Sequence, residues 1–203
     1  SSLDKALLPI LAAIGGMARG VAHELGAPLS VIDGRTHRLQ RSSANDSPQQ
    51  REFAAIRAQV ARLTSTVKQL LDYSRPAAAT LRKTDPAQLT ATAIDAITPE
   101  FEQTAIALQS QYETDLPALF GDPARLELAL LNLLRNALQA ASSKVTVSLR
   151  YEDQHLLVSV SDDGPGLPET NREKLMEPFY TTKPPGEGTG LGLAIVQTIV
   201  EEH

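Results

Sequence analysis

The chain contains no cysteine and no tryptophan. Without thiols it has no disulfide, no thiolate-held zinc or iron–sulfur cluster, and no cysteine nucleophile. Aromatic residues amount to 4%, four Phe and four Tyr, and the formal net charge is −5. That combination argues against nucleic acid as a partner, since neither a stacking platform nor a strong basic stripe is available. No apolar run approaches the roughly 20 residues that span a bilayer, and no secretory signal pattern opens the sequence. A soluble, cytoplasmic piece that makes no membrane contact of its own is expected, with an anchor elsewhere in a longer protein left open.

What is present is an ordinary globular composition, 42% apolar and 21% charged over 203 residues, enough for one large domain or two small ones. The charge is unevenly spread. Residues 1–75 hold ten Lys/Arg against six Asp/Glu, whereas residues 76–203 hold nine against eighteen. Two halves of opposite sign predict two domains with different partners.

The first half carries heptad seams. Leu3, Leu7, Ile10, Ile14, Met17 and Val21 recur at steps of four and three, and Leu25, Leu29, Ile32 and Leu39 continue the stripe. This predicts a helix from Leu3 to about Arg41, roughly 58 Å long at 1.5 Å per residue, bent near Pro28. After a polar turn, Phe53, Ile56, Val60, Leu63, Val67 and Leu70 form a second seam. Two helices with one narrow stripe each cannot close a core. Two such hairpins can, as a dimeric four-helix bundle; the alternative is a monomeric hairpin resting on the second domain. A linker is expected over residues 76–82, giving a helical hairpin over 1–75 and a second domain over 83–203.

The second half alternates its elements. Asp85-Pro86 and Asp122-Pro123 each read as an N-cap with Pro at the first helical position, predicting helices to about Ile97 and to Ala141. A strand is expected around Ile106–Tyr112. Val145, Val147, Leu149 and then Leu156, Val158, Val160 predict a hairpin, and Leu193–Glu202 a last helix. The result is an α/β layer.

Four clusters carry possible chemistry. His23 lies roughly opposite its helix's seam, and Glu24 can hold one ring nitrogen while the other keeps its lone pair, which makes a neutral imidazole nucleophile. His37 has no adjacent acid, His155 falls in a hairpin and His203 ends the chain. Asn132 and Asn136 share one helical face; their carbonyl oxygens suit a hard cation such as Mg²⁺, although two solvated amides fit the spacing equally well. Asp162 continues the parity of the buried strand face. A carboxylate there needs a donor, and an adenine amino group is one, with Gly164 and Gly166 letting the backbone approach a flat base. Gly188-Thr189-Gly190-Leu191-Gly192-Leu193 opens the last helix, where backbone N–H groups can cradle phosphates. Residues 167–187 between these glycine clusters suit a lid.

In order and spacing these clusters resemble the sensor histidine kinases of two-component signalling. His23 to Leu29 is similar to that family's phosphoacceptor box, Asn132 to Ala140 to its N box, and Asp162 to Gly166 to its first glycine box. Pro178 to Lys183 is similar to the F box and Gly188 to Leu193 to the second glycine box. The resemblance implies a helical hairpin forming a dimeric four-helix bundle, followed by an α/β-sandwich ATP-binding domain of the gyrase, histidine kinase and MutL type. It implies further that His23 accepts the γ-phosphoryl group of ATP with Glu24 as base. Asn136 would hold Mg²⁺ with Asn132 near the phosphates, and Asp162 would bind the adenine. The product phosphohistidine would serve an aspartate on a response-regulator receiver domain. Rival readings are a relative that hydrolyses ATP for conformational work and a degenerate dimeric scaffold.

Three departures from the family pattern stand out. Gln139 occupies a position where many relatives carry Lys or Arg, which makes Lys183 the candidate for the missing cation. Ala27 stands where Thr or Asn is usual, so little phosphatase activity toward the regulator is expected. The chain stops at His203 where relatives continue into two more strands, so a sheet lacking those strands is expected.

Overall fold

The computed structural model describes residues 25–42, 47–73, 80–167, 169–183 and 188–203. Two compact units divide at Pro76/Ala77. In the first, residues 25–42 form a helix (α1) that continues through Pro28, and Pro48–Tyr73 form α2. Arg57 joins them, its Nε 3.0 Å from Asp33 Oδ1 and its Nη1 donating to Gln40 Oε1 at 3.2 Å. Thr36 and Val60 are buried. Leu29, Phe53 and Val67 of the seam are half-buried, while Leu25, Ile32, Leu39, Ile56 and Leu63 keep 42–53% of their surface exposed.

The first element described in the second unit is a short strand, β1 (Arg82–Thr84), which begins at the last residue of the stretch expected as linker. The unit then runs α3 (Pro86–Glu102), β2 (Ala107–Tyr112), β3 (Leu119–Gly121), α4 (Pro123–Ala140), β4 (Lys144–Glu152), β5 (His155–Asp162), a 3-10 helix (Glu169–Met176) and α5 (Gly192–Glu201). Both Asp-Pro signals act as expected: Asp85 Oδ1 accepts from Ala87 N and Gln88 N, and Asp122 Oδ1 from Ala124 N and Arg125 N. Helix α3 runs five residues past the expected end, through Pro99, because Phe101 in its last turn is buried in the core. Packing there outweighs the backbone bond that Pro removes.

Strand β4 is central, parallel to β2 and antiparallel to β5. The β4–β5 turn places Asp153 and Gln154 at φ 49° and 64°, the left-handed pair that a tight two-residue hairpin requires. Strands β1 and β3, which alternation did not reveal, form a separate antiparallel pair. The core lies between one face of the three-stranded sheet and helices α3 and α4: Leu89, Ala93, Ile97 and Phe101 meet Leu130, Leu134, Ala137, Val145 and Val147. Helix α5 buries Ala194, Ile195, Val196 and Ile199. None of the described helices is long and apolar enough to cross a membrane.

The end of α5 is tied to the start of α4. The guanidinium of Arg125 pairs with the carboxylate of Glu202, their side chains 11% and 21% exposed. His203 accepts the Asp122 N–H at Nε2 (2.9 Å) and donates from Nδ1 to Ile199 O (2.6 Å). Removing one partner of a mostly buried ion pair strands the other charge. Glu202→Ala should therefore lower stability by about 3 kcal/mol or more, read from the chemical-denaturation midpoint and slope. A loss below about 1 kcal/mol would mean the pair behaves as a surface contact.

Candidate functional site

Helix α4 is the floor of the site. Its apolar stripe faces the core, and Asn132, Asn136 and Gln139 lie along another side. Asn132 is only 7% exposed. A buried amide needs partners, and its Nδ2 donates to Leu128 O at 2.9 Å, which fixes the orientation of its carbonyl oxygen. Gly192, the first residue of α5, sits over both asparagines: a Cβ there would lie 3.3 Å from Asn132 Oδ1 and 3.6 Å from Asn136 Nδ2. No side chain caps the α5 N-terminus, so its first N–H groups are unclaimed by a capping oxygen.

The two last motifs are stapled together. Phe179 N–H donates to Gly190 O at 3.0 Å, and both residues have positive φ, 68° and 67°. Any Cβ on Gly190 would collide with Phe179, lying 2.6 Å from its Cα, so only glycine fits. Thr189 Oγ1 accepts from Leu191 N at 3.4 Å. Leu191 is buried and Leu193 half-buried.

Lys183 reaches back to α4. Its Nζ donates to Asn136 Oδ1 at 3.5 Å and to Gln139 Oε1, and burial holds its pKa below the usual lysine value. The residue singled out as candidate for the missing cation thus stands beside Gln139, the position that lacks one. Asn136 Oδ1 thus faces the Lys183 ammonium, and an amide oxygen is of the ligand type that a hard cation such as Mg²⁺ takes.

Asp162 differs from expectation. Its register partner is the buried Val145, so its parity is that of the core face, yet it is exposed. It is the last residue of β5, where the strand reaches the rim of the core. Its Oδ1 accepts from Gly164 N at 2.9 Å rather than a buried donor, and the carboxylate opens outward. Gly164 packs against the Ala140 carbonyl so closely that no side chain fits, joining this loop to the end of α4. Gly166 is exposed with φ 75°. His23 and Glu24 lie outside the described residues.

Asp163 was not anticipated. Its carboxylate binds Ser143 Oγ (2.5 Å) and the N–H groups of Ser142 and Ser143 (each 2.9 Å) and Lys144 (3.0 Å). The Ser143 hydroxyl, followed by these backbone donors, holds its pKa well below the usual carboxylate range. The loop that carries Asp162 is thereby locked to the turn after α4. The signal in sequence was an acid facing a Ser-Ser turn across the hairpin, which only register reveals.

Comparison with known proteins places the whole arrangement. Residues 13–79 match the His Kinase A (phospho-acceptor) domain, and residues 121–203 the Histidine kinase-, DNA gyrase B-, and HSP90-like ATPase family. The chain is 34% identical over 200 residues to the sensor histidine kinase ZraS of Salmonella typhimurium, covering 95% of this chain and 42% of that protein. It is 30% identical over 193 residues to sporulation kinase E of Bacillus subtilis, covering 94% and 26%. The chain thus spans less than half the length of these curated relatives. Among solved structures it is similar to full-length ShkA in complex with AMPPNP (TM-score 0.75, 26% identity, 92% of this chain and 41% of that one). It is similar also to ThkA in complex with the response regulator TrrA (TM-score 0.67, 25% identity, 96% and 56%).

The Asp163 lock has a pH signature. A carboxylate whose folded pKa is depressed adds stability above its unfolded pKa, near 4, and loses that contribution as pH falls toward the folded value. Asp163→Asn should melt lower than the parent at pH 7, and the gap should shrink as pH drops below about 4. Melting curves of both proteins from pH 7 to 2 check this; a gap that stays constant with pH would contradict it.

Proposed function

The chain belongs to the sensor histidine kinases of two-component systems, and we propose that it is the ATP-dependent protein-histidine kinase core of a longer protein. One observation carries the reading: on one side of α4, Asn132, Asn136 and Lys183 meet the uncapped start of α5 at Gly192. That is a cationic, donor-rich surface of the kind that holds a nucleotide's phosphates.

In this reading Asp162 accepts from the adenine amino group, and Gly164 and Gly166 leave room for the base. The backbone N–H groups around Gly188, Gly190 and Gly192 take phosphate oxygens. Asn136 holds Mg²⁺, which would neutralise phosphate charge when bound, and Asn132 orients beside it. Lys183 supplies the protein's own cation. His23 attacks the γ-phosphorus with one ring nitrogen: an N–P bond forms, the P–O bond to the β-phosphate breaks, ADP departs, and the proton on the other nitrogen passes to Glu24. An aspartate of a response-regulator receiver domain then takes the phosphoryl group. A P–O bond forms, the N–P bond breaks with its electron pair left on the ring, and the ring takes a proton back from Glu24 to restore the neutral imidazole.

The helical unit is proposed to form a homodimer. Leu25, Ile32, Leu39, Ile56 and Leu63 lie open along the seam, and a second copy of the same hairpin supplies complementary stripes. Leu63→Glu should then give monomers in sedimentation, because it would bury a charge at the interface. A variant that remains a dimer of normal stability would refute the arrangement.

Incubation with γ-labelled ATP tests the activity. The label should be acid-labile and base-stable, and His23→Gln should abolish it while leaving nucleotide affinity nearly unchanged. Asp162→Asn should instead weaken nucleotide binding by about 1.5 kcal/mol or more, the loss of a hydrogen bond to a charged acceptor. Labelling that survives His23→Gln would remove that residue from the mechanism.

A further inference from the structure

Gln139 and Lys183 are 44 residues apart in the chain, and neither would stand out on a protein surface. The fold places the Lys183 ammonium against the Gln139 side-chain carbonyl, with Asn136 Oδ1 at 3.5 Å as second acceptor. The lysine's stem is confined as well. Its backbone N–H donates to Thr181 Oγ1 at 3.2 Å. Gly188 closes down on it: a Cβ there would lie 3.1 Å from Lys183 Cδ, 3.3 Å from its Cβ and 2.5 Å from Thr181 Oγ1.

We propose that Gln139 is a positioning residue, whose carbonyl oxygen presets the Lys183 ammonium on the asparagine side of α4 to receive a nucleotide's phosphate tail. The inference rests on the reading of this site as a nucleotide site. A long lysine side chain loses much rotamer freedom when fixed. If folding fixes it, ligand binding does not bear that cost. An ammonium has three N–H donors; Gln139 takes one, and with Asn136 Oδ1 given over to Mg²⁺ the other two are left for phosphate oxygens. The acceptor's chemistry matters too. A neutral amide orients the ammonium without cancelling its charge, whereas a carboxylate at the same place would form an ion pair and weaken its pull on phosphate. Gly188 completes the device by leaving no room for a side chain that would push the stem aside.

The test compares AMPPNP with AMP, titrated in Mg²⁺ against the whole 203-residue chain, since the two differ only in the phosphate tail. Lys183→Ala should weaken AMPPNP about tenfold and AMP less than about twofold. Gln139→Met, of similar volume but without the acceptor, should weaken AMPPNP about three- to tenfold with AMP again little changed. Combining the two should add nothing further, because they act through one ammonium. Lys183→Ala with Gln139→Lys, which puts a cation on α4 directly, should recover AMPPNP binding. Gln139→Glu, which keeps an acceptor but neutralises the charge, should also lose AMPPNP affinity, and provides a second readout should the Met variant fold poorly. Loss of AMP and AMPPNP in parallel, or no loss for either Gln139 variant, overturns the proposal. A parent chain that binds neither nucleotide overturns the nucleotide-site reading itself, an outcome distinct from the first.

Discussion

The second unit depends on the double duty of α4. One side of this helix must be apolar enough to close the core against α3 and the sheet, through Leu130, Leu134 and Ala137. Another carries the buried Asn132, whose amide cannot be left unpartnered, with the half-buried Asn136 and the exposed Gln139 beyond it. The structure reconciles the two demands locally. Asn132 satisfies its donor on its own helix, at Leu128 O, which frees the buried amide to present its oxygen toward the start of α5. Because the asparagines are fixed by the core, α5, the lid base and the first glycine loop must be placed relative to them.

Both ends of α4 are held by residues distant in sequence. At its start, Asp122 caps the helix, receives the Thr80 N–H at Oδ2 (2.9 Å) and donates its own N–H to His203, while Arg125 meets Glu202. Past its end, Asp163 gathers the N–H groups of Ser142, Ser143 and Lys144, and Gly164 rests on the Ala140 carbonyl. A helix clamped at both termini is a rigid base for a polar site, and rigidity is what pre-organised electrostatics requires. Strain collects elsewhere: Phe179, inside the lid segment, has a positive φ and donates its N–H to the carbonyl of Gly190.

The helical unit follows a different economy. Among its described residues, Thr36 and Val60 are buried and Arg57 bridges polar positions on the facing helix. Most of the described seam remains uncovered, which is the state of a half-interface. The proposed nucleophile lies in this unit and the proposed nucleotide site in the other, so the same chain can separate the capture of a phosphoryl donor from the passing on of the phosphoryl group.

The sequence by itself determined what local rules govern. Two Asp-Pro caps set the starts of α3 and α4, alternation set β4 and β5, and heptad steps marked α2. Motif order identified the family and named Asn132, Asn136, Asp162 and the glycines as candidates. The motif lacked a cation at Gln139, and the sequence offered Lys183 as the candidate for it. Tertiary structure decided what depends on distant neighbours. Buried Phe101 carries α3 past Pro99, and β1 and β3 exist because they pair with each other, being three residues each and too short for a pattern. Asp162 kept the predicted parity but lost the predicted burial, because parity is a property of the strand whereas burial depends on where the core stops. Asp163 became a lock, and Gln139 a neighbour of Lys183, only once register and the lid path were fixed, since contacts across 20 and 44 residues leave no periodic trace in a sequence.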